Sequence, residues 1–376
     1  MDQMDHSSDV KSALVVGAGS IGAHLARSLT KAGWSVQVID TSAEAVARFV
    51  NQLYPGRYGE LPEKLSVSLS SDLDPSRIFD AMVVGTPPDT HLSVLRAYTE
   101  RVTRIVSVQK PLTTFRMSEI RELEKIEATS NAIFLAGFNH RVSLGALAFW
   151  SLIPGLFYRQ TVTIEVDWLE SWDGIMKAHP WLASPAETYL GYTSRGGGAL
   201  FEHSHGLDLG LVAADILGLG KLREISSQAK VVTEGEMSYD QESKVTAKYA
   251  NGSKLISHQD VTTWPAKKSM TISSPDWTAT LEAGTPETVS IKSAKGQLQF
   301  QASFTKTREE DFDAEVRQFE LLLSGKNAES SLSRLSHGLL TAKISSIVAS
   351  QALGMHQDVY TERDLIDEGL FNEEVF

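Results

Sequence analysis

The stretch ALVVGAGSIGAHLARSLTKAGWSVQVID, residues 13–40, decides the fold. It opens with a short apolar run of the kind that forms a buried strand. GAGSIG follows, with glycines at 17, 19 and 22, and SIGAHLARSLTKAG then has the spacing of a helix ending at Gly33. SVQVID reads as a second strand finishing on Asp40. A glycine-rich turn from strand to helix, with an acid about twenty residues on, is the arrangement that cradles a dinucleotide. Gly17 permits the tight turn, Gly19 admits the pyrophosphate, and Gly22 lets the helix pack on the strand. Ser20 and Ile21 lie between them, where free N–H groups and the positive end of the helix dipole favour phosphate. Asp40 suits the adenosine ribose hydroxyls and repels a 2′-phosphate. The TSAEA that follows offers no lysine or arginine to rescue one, so NAD is expected, with NADP disfavoured.

Outward from this unit the chain keeps alternating. TSAEAVARFVNQL and the stretches near 89–100 and 117–128 read as helices; LSVSLS, FDAMVVGT, RIVSVQ and NAIFLAGF read as strands. Such alternation implies a parallel sheet covered on both faces. Open sheets of this kind bind ligands at the carboxyl ends of their strands. VVGTPPDTH, residues 83–91, lies there, and Thr86, Pro87 and His91 are expected around the nicotinamide ribose. Lys110, in VSVQKP, sits at a strand end beside a turn-locking proline and is therefore positioned. Asn139 and Arg141, in GFNHR after the last such strand, are expected to line the cleft near the nicotinamide; a structural ion pair is the alternative for Arg141.

The 376 residues exceed one small domain. A net charge of −12 argues against nucleic acid as a main partner, since phosphate neutralisation needs clustered basic groups. With no cysteine, disulfides, thiolate zinc sites and cysteine nucleophiles are excluded, which fits a cytoplasmic protein. The most apolar run, residues 143–158, is too short for a bilayer and is interrupted by Pro154.

Further on, GGGALFEHSHGLDLG, residues 196–210, packs a carboxylate, two histidines and an aspartate behind three glycines. Its spacing predicts a helix with Glu202, His205 and Asp208 on one face. His203 then points away and reads as a packed or solvent-facing residue, and HSH lacks the spacing of helical metal ligands, so no metal is expected. Residues 166–195 interleave aromatic and basic groups; Trp168, Trp172, Lys177, His179 and Arg195 are expected on the substrate side, as sugar-stacking faces and anion partners. From about 222 to 305 the chain reads as a β-rich meander, and helices near 308–325 and 332–352 close it. A wide sheet to cover suggests a homodimer or homotetramer.

Taken in order, GAGSIG, VVGTPPDTH, QKP, GFNHR, GGGALFEHSHGLD and the two closing helices resemble the glucose–fructose oxidoreductase and inositol dehydrogenase (Gfo/Idh/MocA) family over nearly the whole chain. The resemblance implies an α/β protein with an N-terminal Rossmann dinucleotide-binding domain. A C-terminal α+β domain with a large, mainly antiparallel open sheet would follow. The corresponding division is a disordered lead-in at 1–12, the NAD domain at 13–140 and a substrate and oligomerisation domain at 141–376. It further implies an NAD(P)-dependent dehydrogenase acting on CH–OH groups of sugars, nucleotide sugars or cyclitols. Lys110, Glu202 and His205 match the lysine, carboxylate and histidine that serve hydride transfer in that family. Histidine suits the base, because its ordinary pKa is near neutrality. Gln109, grouped here with the cofactor residues, replaces the family's usual glutamate, and Glu202 is followed by two residues rather than three before His205. Internal redox cycling on one sugar, of epimerase or glycosidase type, and a non-catalytic NAD sensor are the alternatives.

Overall fold

The computed structural model describes residues 10–328 and 331–372; most of the expected lead-in lies outside them. Strands β1 (Ser12–Val16), β2 (Ser35–Asp40), β3 (Leu65–Leu69), β4 (Phe79–Val84), β5 (Val102–Gln109) and β6 (Ile133–Gly137) form one sheet in the order β3-β2-β1-β4-β5-β6. All its pairings are parallel. The connecting helices are α1 (Ser20–Lys31), α2 (Ala43–Arg48), α3 (Tyr54–Tyr58), α4 (His91–Tyr98) and α5 (Met117–Thr129). Strands β1, β4 and β5 are almost wholly buried, as expected of a sheet covered on both faces. The order reverses at β1, between β2 and β4, which opens a crevice above the glycine turn.

The second sheet contains β7 (Thr163–Leu169), β8 (Leu222–Glu234), β9 (Met237–Tyr249), β10 (Lys254–Asp260), β11 (Lys267–Ser273), β12 (Trp277–Glu282), β13 (Glu287–Ser293) and β14 (Leu298–Phe304). Their order is β14-β13-β12-β11-β7-β10-β9-β8, antiparallel except for β7 beside β10. One strand falls outside the expected meander. β7 lies in the middle of the sheet, and its alternating burial turns Ile164, Val166 and Trp168 inward. Helices α6 (Leu144–Phe157), α9 (His205–Ile216) and α11 (Leu335–Ala352) pack along this sheet. Short helices α7 (Trp172–Ala178), α8 (Ala199–Glu202) and α12 (Glu362–Asp367) join them.

Helix α10 (Arg308–Leu323) follows β14 yet crosses back to the first sheet's helix layer. Its Phe312, Val316, Phe319 and Leu322 share a core with Leu25, Leu29 and Trp34. Asp313 accepts from Ser28 at 2.7 Å and from Lys31 at 2.7 Å, and Phe312 stacks on His24. The two sheets are thus tied together by a helix from late in the chain. Among the described residues, no helix is long and apolar enough to cross a membrane.

Candidate active site

The glycine turn leaves no room for side chains where the expected roles demand none. A Cβ on Gly17, whose φ is +111°, would lie 2.9 Å from the Gly85 carbonyl oxygen; one on Gly22 would lie 2.0 Å from that of Gly17. Beyond Gly19 there is open space. The first-turn N–H groups of α1 have no acceptor within the helix and face that space. Asp40 ties the turn together: its carboxylate accepts from the Ala18 N–H at 2.8 Å and from the Ser42 N–H at 2.9 Å. A carboxylate has about four lone-pair positions, so ribose hydroxyls still find acceptors. Ser20 is buried, and its Oγ accepts from Arg57 at 2.9 Å, while Ile21 packs against the core. The cradle and its donor set fit a dinucleotide.

Beside it, Lys110 leaves the end of β5 and meets the second domain. Its Nζ donates to the Glu202 carbonyl at 2.7 Å and pairs with Glu202 Oε1 at 2.8 Å. Tyr189 donates its hydroxyl to Glu202 Oε2 at 2.6 Å. Burial pushes the Glu202 carboxyl up, but the Lys110 ammonium and the two hydrogen bonds outweigh it and hold it below the ordinary glutamate value. The same burial, reinforced by the Glu202 charge, drives the Tyr189 hydroxyl well above its usual range. Lys110, Glu202 and Tyr189 therefore form a charged pair braced by a neutral phenol.

His205 is half-buried, its ring 4.7 Å from His140, 5.5 Å from Trp168 and 5.6 Å from Phe138. Burial, then the proximity of His140 and Lys110, pushes its pKa well down, so the imidazole is neutral near pH 7. Nδ1 of His205 and of His140 are both buried without a hydrogen-bond partner. His140 was visible in GFNHR but carried no distinctive spacing, and Tyr189 lay unmarked among other aromatics; neither was an expected catalytic residue.

The three glycines answer to three separate close approaches. A Cβ on Gly196 would come within 2.7 Å of Pro88, one on Gly197 within 2.1 Å of the Tyr189 carbonyl, and one on Gly198 within 2.0 Å of Asp240 Oδ1. Asp240 in turn accepts from the Leu200 N–H at 2.7 Å, starting α8. The expected continuous helix is broken here: α8 stops at Glu202, and α9 begins at His205 after a tight turn closed by Ser204 N–H to Phe201 carbonyl and Gly206 N–H to His203 carbonyl bonds. That break lets Glu202 face Lys110 while Asp208 faces elsewhere. His203 is buried.

Residues 11–138 match the family model described as an oxidoreductase family with an NAD-binding Rossmann fold. This segment matches the NAD-binding Rossmann domain of the Gfo/Idh/MocA oxidoreductase family. Among solved structures, levoglucosan dehydrogenase in complex with NADH is similar over 92% of this chain and 98% of its own, with a TM-score of 0.70 and 16% identity. UDP-N-acetylglucosamine 3-dehydrogenase from Acidithiobacillus ferrooxidans is similar over 91% and 98%, with a TM-score of 0.66 and 14% identity. A putative myo-inositol dehydrogenase from Sinorhizobium meliloti 1021 is similar over 91% and 97%, with a TM-score of 0.66 and 18% identity. At these identities the likeness is one of fold. Among curated proteins, none matches the chain by sequence.

Several expected Gfo/Idh/MocA-type site residues are placed differently. Arg141 has no exposure and forms a two-pronged pair with Asp208, itself 1% exposed, so neither reaches a ligand. His91 is buried between the Thr86 carbonyl at 2.7 Å and the Leu112 carbonyl at 3.0 Å; it staples the VVGTPPDTH turn to the loop after Lys110. Trp168 belongs to the inner face of β7, and Trp172 packs in a small core with Leu190, Ala199 and Val261. Thr86 takes a hydrogen bond from Thr90 at 2.8 Å; Pro87 is exposed beside it, and Asn139 is half-buried just past β6. His140, Glu287 and Asp311 form a cluster of metal-ligand type, but the Lys306 ammonium sits on its carboxylates at 2.7 and 2.6 Å.

Gln109 also turns away from the cofactor. It is buried and donates to Glu315 of α10 at 2.6 Å, and a Cβ on Gly137 would strike its amide. A glutamate at 109 would face the Glu315 carboxylate, so the amide is the complementary choice. Burial pushes the Glu315 carboxyl up to about 7. Its folded pKa exceeds its unfolded one, so the folded state keeps a proton that the unfolded chain loses, and stability falls as pH rises from about 4.5 to about 7. Glu315→Gln should flatten that fall. Urea denaturation at pH 5 and pH 8 checks it; equal pH slopes for the two proteins would refute the assignment.

Proposed function

We propose that the protein is an NAD-dependent oxidoreductase that moves a hydride between a secondary hydroxyl of a sugar, nucleotide sugar or cyclitol and the nicotinamide. The observation that carries this reading is the Lys110–Glu202–Tyr189 arrangement near a neutral His205, with Lys110 at the end of β5 in the sheet whose β1 carries the glycine cradle. When bound, NAD supplies the hydride acceptor.

The side chains account for the rest. An ammonium has three donors; Glu202 takes two from Lys110, leaving one for the substrate oxygen. That donor stabilises the negative charge that builds on oxygen as the C–H bond breaks. The neutral imidazole of His205 takes the hydroxyl proton, so a carbonyl forms on the carbon that loses hydride. Glu202 fixes the ammonium, and Tyr189 fixes Glu202. The carbohydrate class is taken from the similar folds named for levoglucosan, UDP-N-acetylglucosamine and myo-inositol.

Absorbance of reduced nicotinamide, followed with purified protein, NAD and a panel of free sugars, sugar acids, cyclitols and nucleotide sugars, tests the proposal. One class should reduce NAD, and His205→Ala should slow it by about 10²- to 10⁴-fold. Equal rates with His205→Ala would remove His205 from the chemistry.

A further inference from the structure

The segment between β7 and α8 was expected to face substrate, yet it fastens to the cofactor domain at two places. Trp181 packs against that domain's core, with the Arg48 guanidinium 4.5 Å from its ring centroid. Arg48 closes α2, eight residues after Asp40, and so marks the β2 side of the crevice. At the other end, Arg195 donates to Asp89 at 2.6 Å, and Gly196 presses on Pro88. Both partners lie just past Thr86, on the β4 side. In the sheet β1 stands between β2 and β4, and its glycine turn lies between the two fastenings.

The chain leading into Trp181 is built to keep its shape. His179 hydrogen-bonds the Ile175 carbonyl at 2.8 Å and meets the Trp181 ring edge-on at 5.1 Å, while Lys177 lies 5.5 Å from the Trp264 ring. His179 also feels the charges of Arg57 and Arg308, and Arg57 bonds Ser20 on the glycine turn. Arg57 thus sets a cation at the helix start that the pyrophosphate would approach.

We propose that residues 181–195 form a strap across the bound dinucleotide, with Trp181 and Arg195 as its fastenings. Trp181 and Arg195 retain the cofactor and do not select the sugar. The proposal rests on the NAD-binding reading of the first domain.

NADH release tests it, measured by mixing the NADH-loaded protein with excess unlabelled NAD and following nicotinamide fluorescence. Trp181→Ala loses a packed ring and its cation contact, and release should quicken about tenfold. Arg195→Asp breaks an exposed pair, and release should quicken about three- to fivefold. Adding Asp89→Arg to Arg195→Asp restores the opposite charges and should return release toward the wild-type rate, which a loss of fold would not do. Wild-type release rates in all three variants would overturn the strap alone. A wild-type protein that binds no NADH would overturn the cofactor reading and the strap with it.

Discussion

Lys110→Met should lower turnover by about 10³- to 10⁴-fold while NADH still binds. Two losses combine in that figure. The donor to the substrate oxygen disappears, and electrostatic stabilisation of this kind is commonly the largest single contribution to rate. Glu202 also loses the ammonium that holds it ionised, so burial pushes its carboxyl upward. Lys110→Arg should not rescue activity. A planar guanidinium cannot reproduce three tetrahedral donors divided between the Glu202 carbonyl, its carboxylate and a substrate. Steady-state rates with NAD and the active panel member check this, and a fall of less than tenfold in Lys110→Met would remove the lysine from its assigned role.

Asp208→Ala should destabilise the fold by about 3–5 kcal/mol, because it leaves the Arg141 charge buried and unpaired. Arg141 has no exposure; besides Asp208 it donates to the Leu332 carbonyl at 3.0 Å and lies 4.7 Å from the Phe138 ring. Asp208 also accepts from Thr341 of α11 at 3.0 Å. One ion pair therefore joins the exit of β6, helix α9 and helix α11. Replacing both partners with apolar residues, Arg141→Met with Asp208→Leu, should cost less than Asp208→Ala alone, since no charge is stranded. Urea denaturation midpoints of the three proteins decide the matter. Wild-type stability in Asp208→Ala would show that the pair contributes nothing.

The first domain was legible because its signals are local. Strand, glycine turn, helix and Asp40 fall within thirty contiguous residues, and Gly17 and Gly22 each have a steric reason at their own position. The strand β7 was missed although TIEVDWL alternates cleanly: its tryptophan drew the eye to ligand stacking, while the period of two pointed to a buried face. The helix break at His203 and Ser204 was hidden, since helical spacing on either side runs through it. Arg141 and Asp208 illustrate the wider limit. Sequence shows that both are charged, but their pairing, across sixty-seven residues, is a tertiary fact. The same holds for Gln109 and Glu315, whose complementarity appears only when α10 returns to the first sheet. Lys110 stands out by its place at a strand end beside a proline and Glu202 by its spacing, and the resemblance gives both their role; that Tyr189 braces them is not readable from its neighbours.

Hydride transfer from a substrate carbon is followed directly with deuterium. With the panel member that reduces NAD, labelled at the carbinol carbon, mass spectrometry of the nicotinamide product should show one deuterium per NADH formed. NADH that carries no label, or a panel in which bound NAD is never reduced, would contradict the assignment of Lys110 and His205 to a dehydrogenase site.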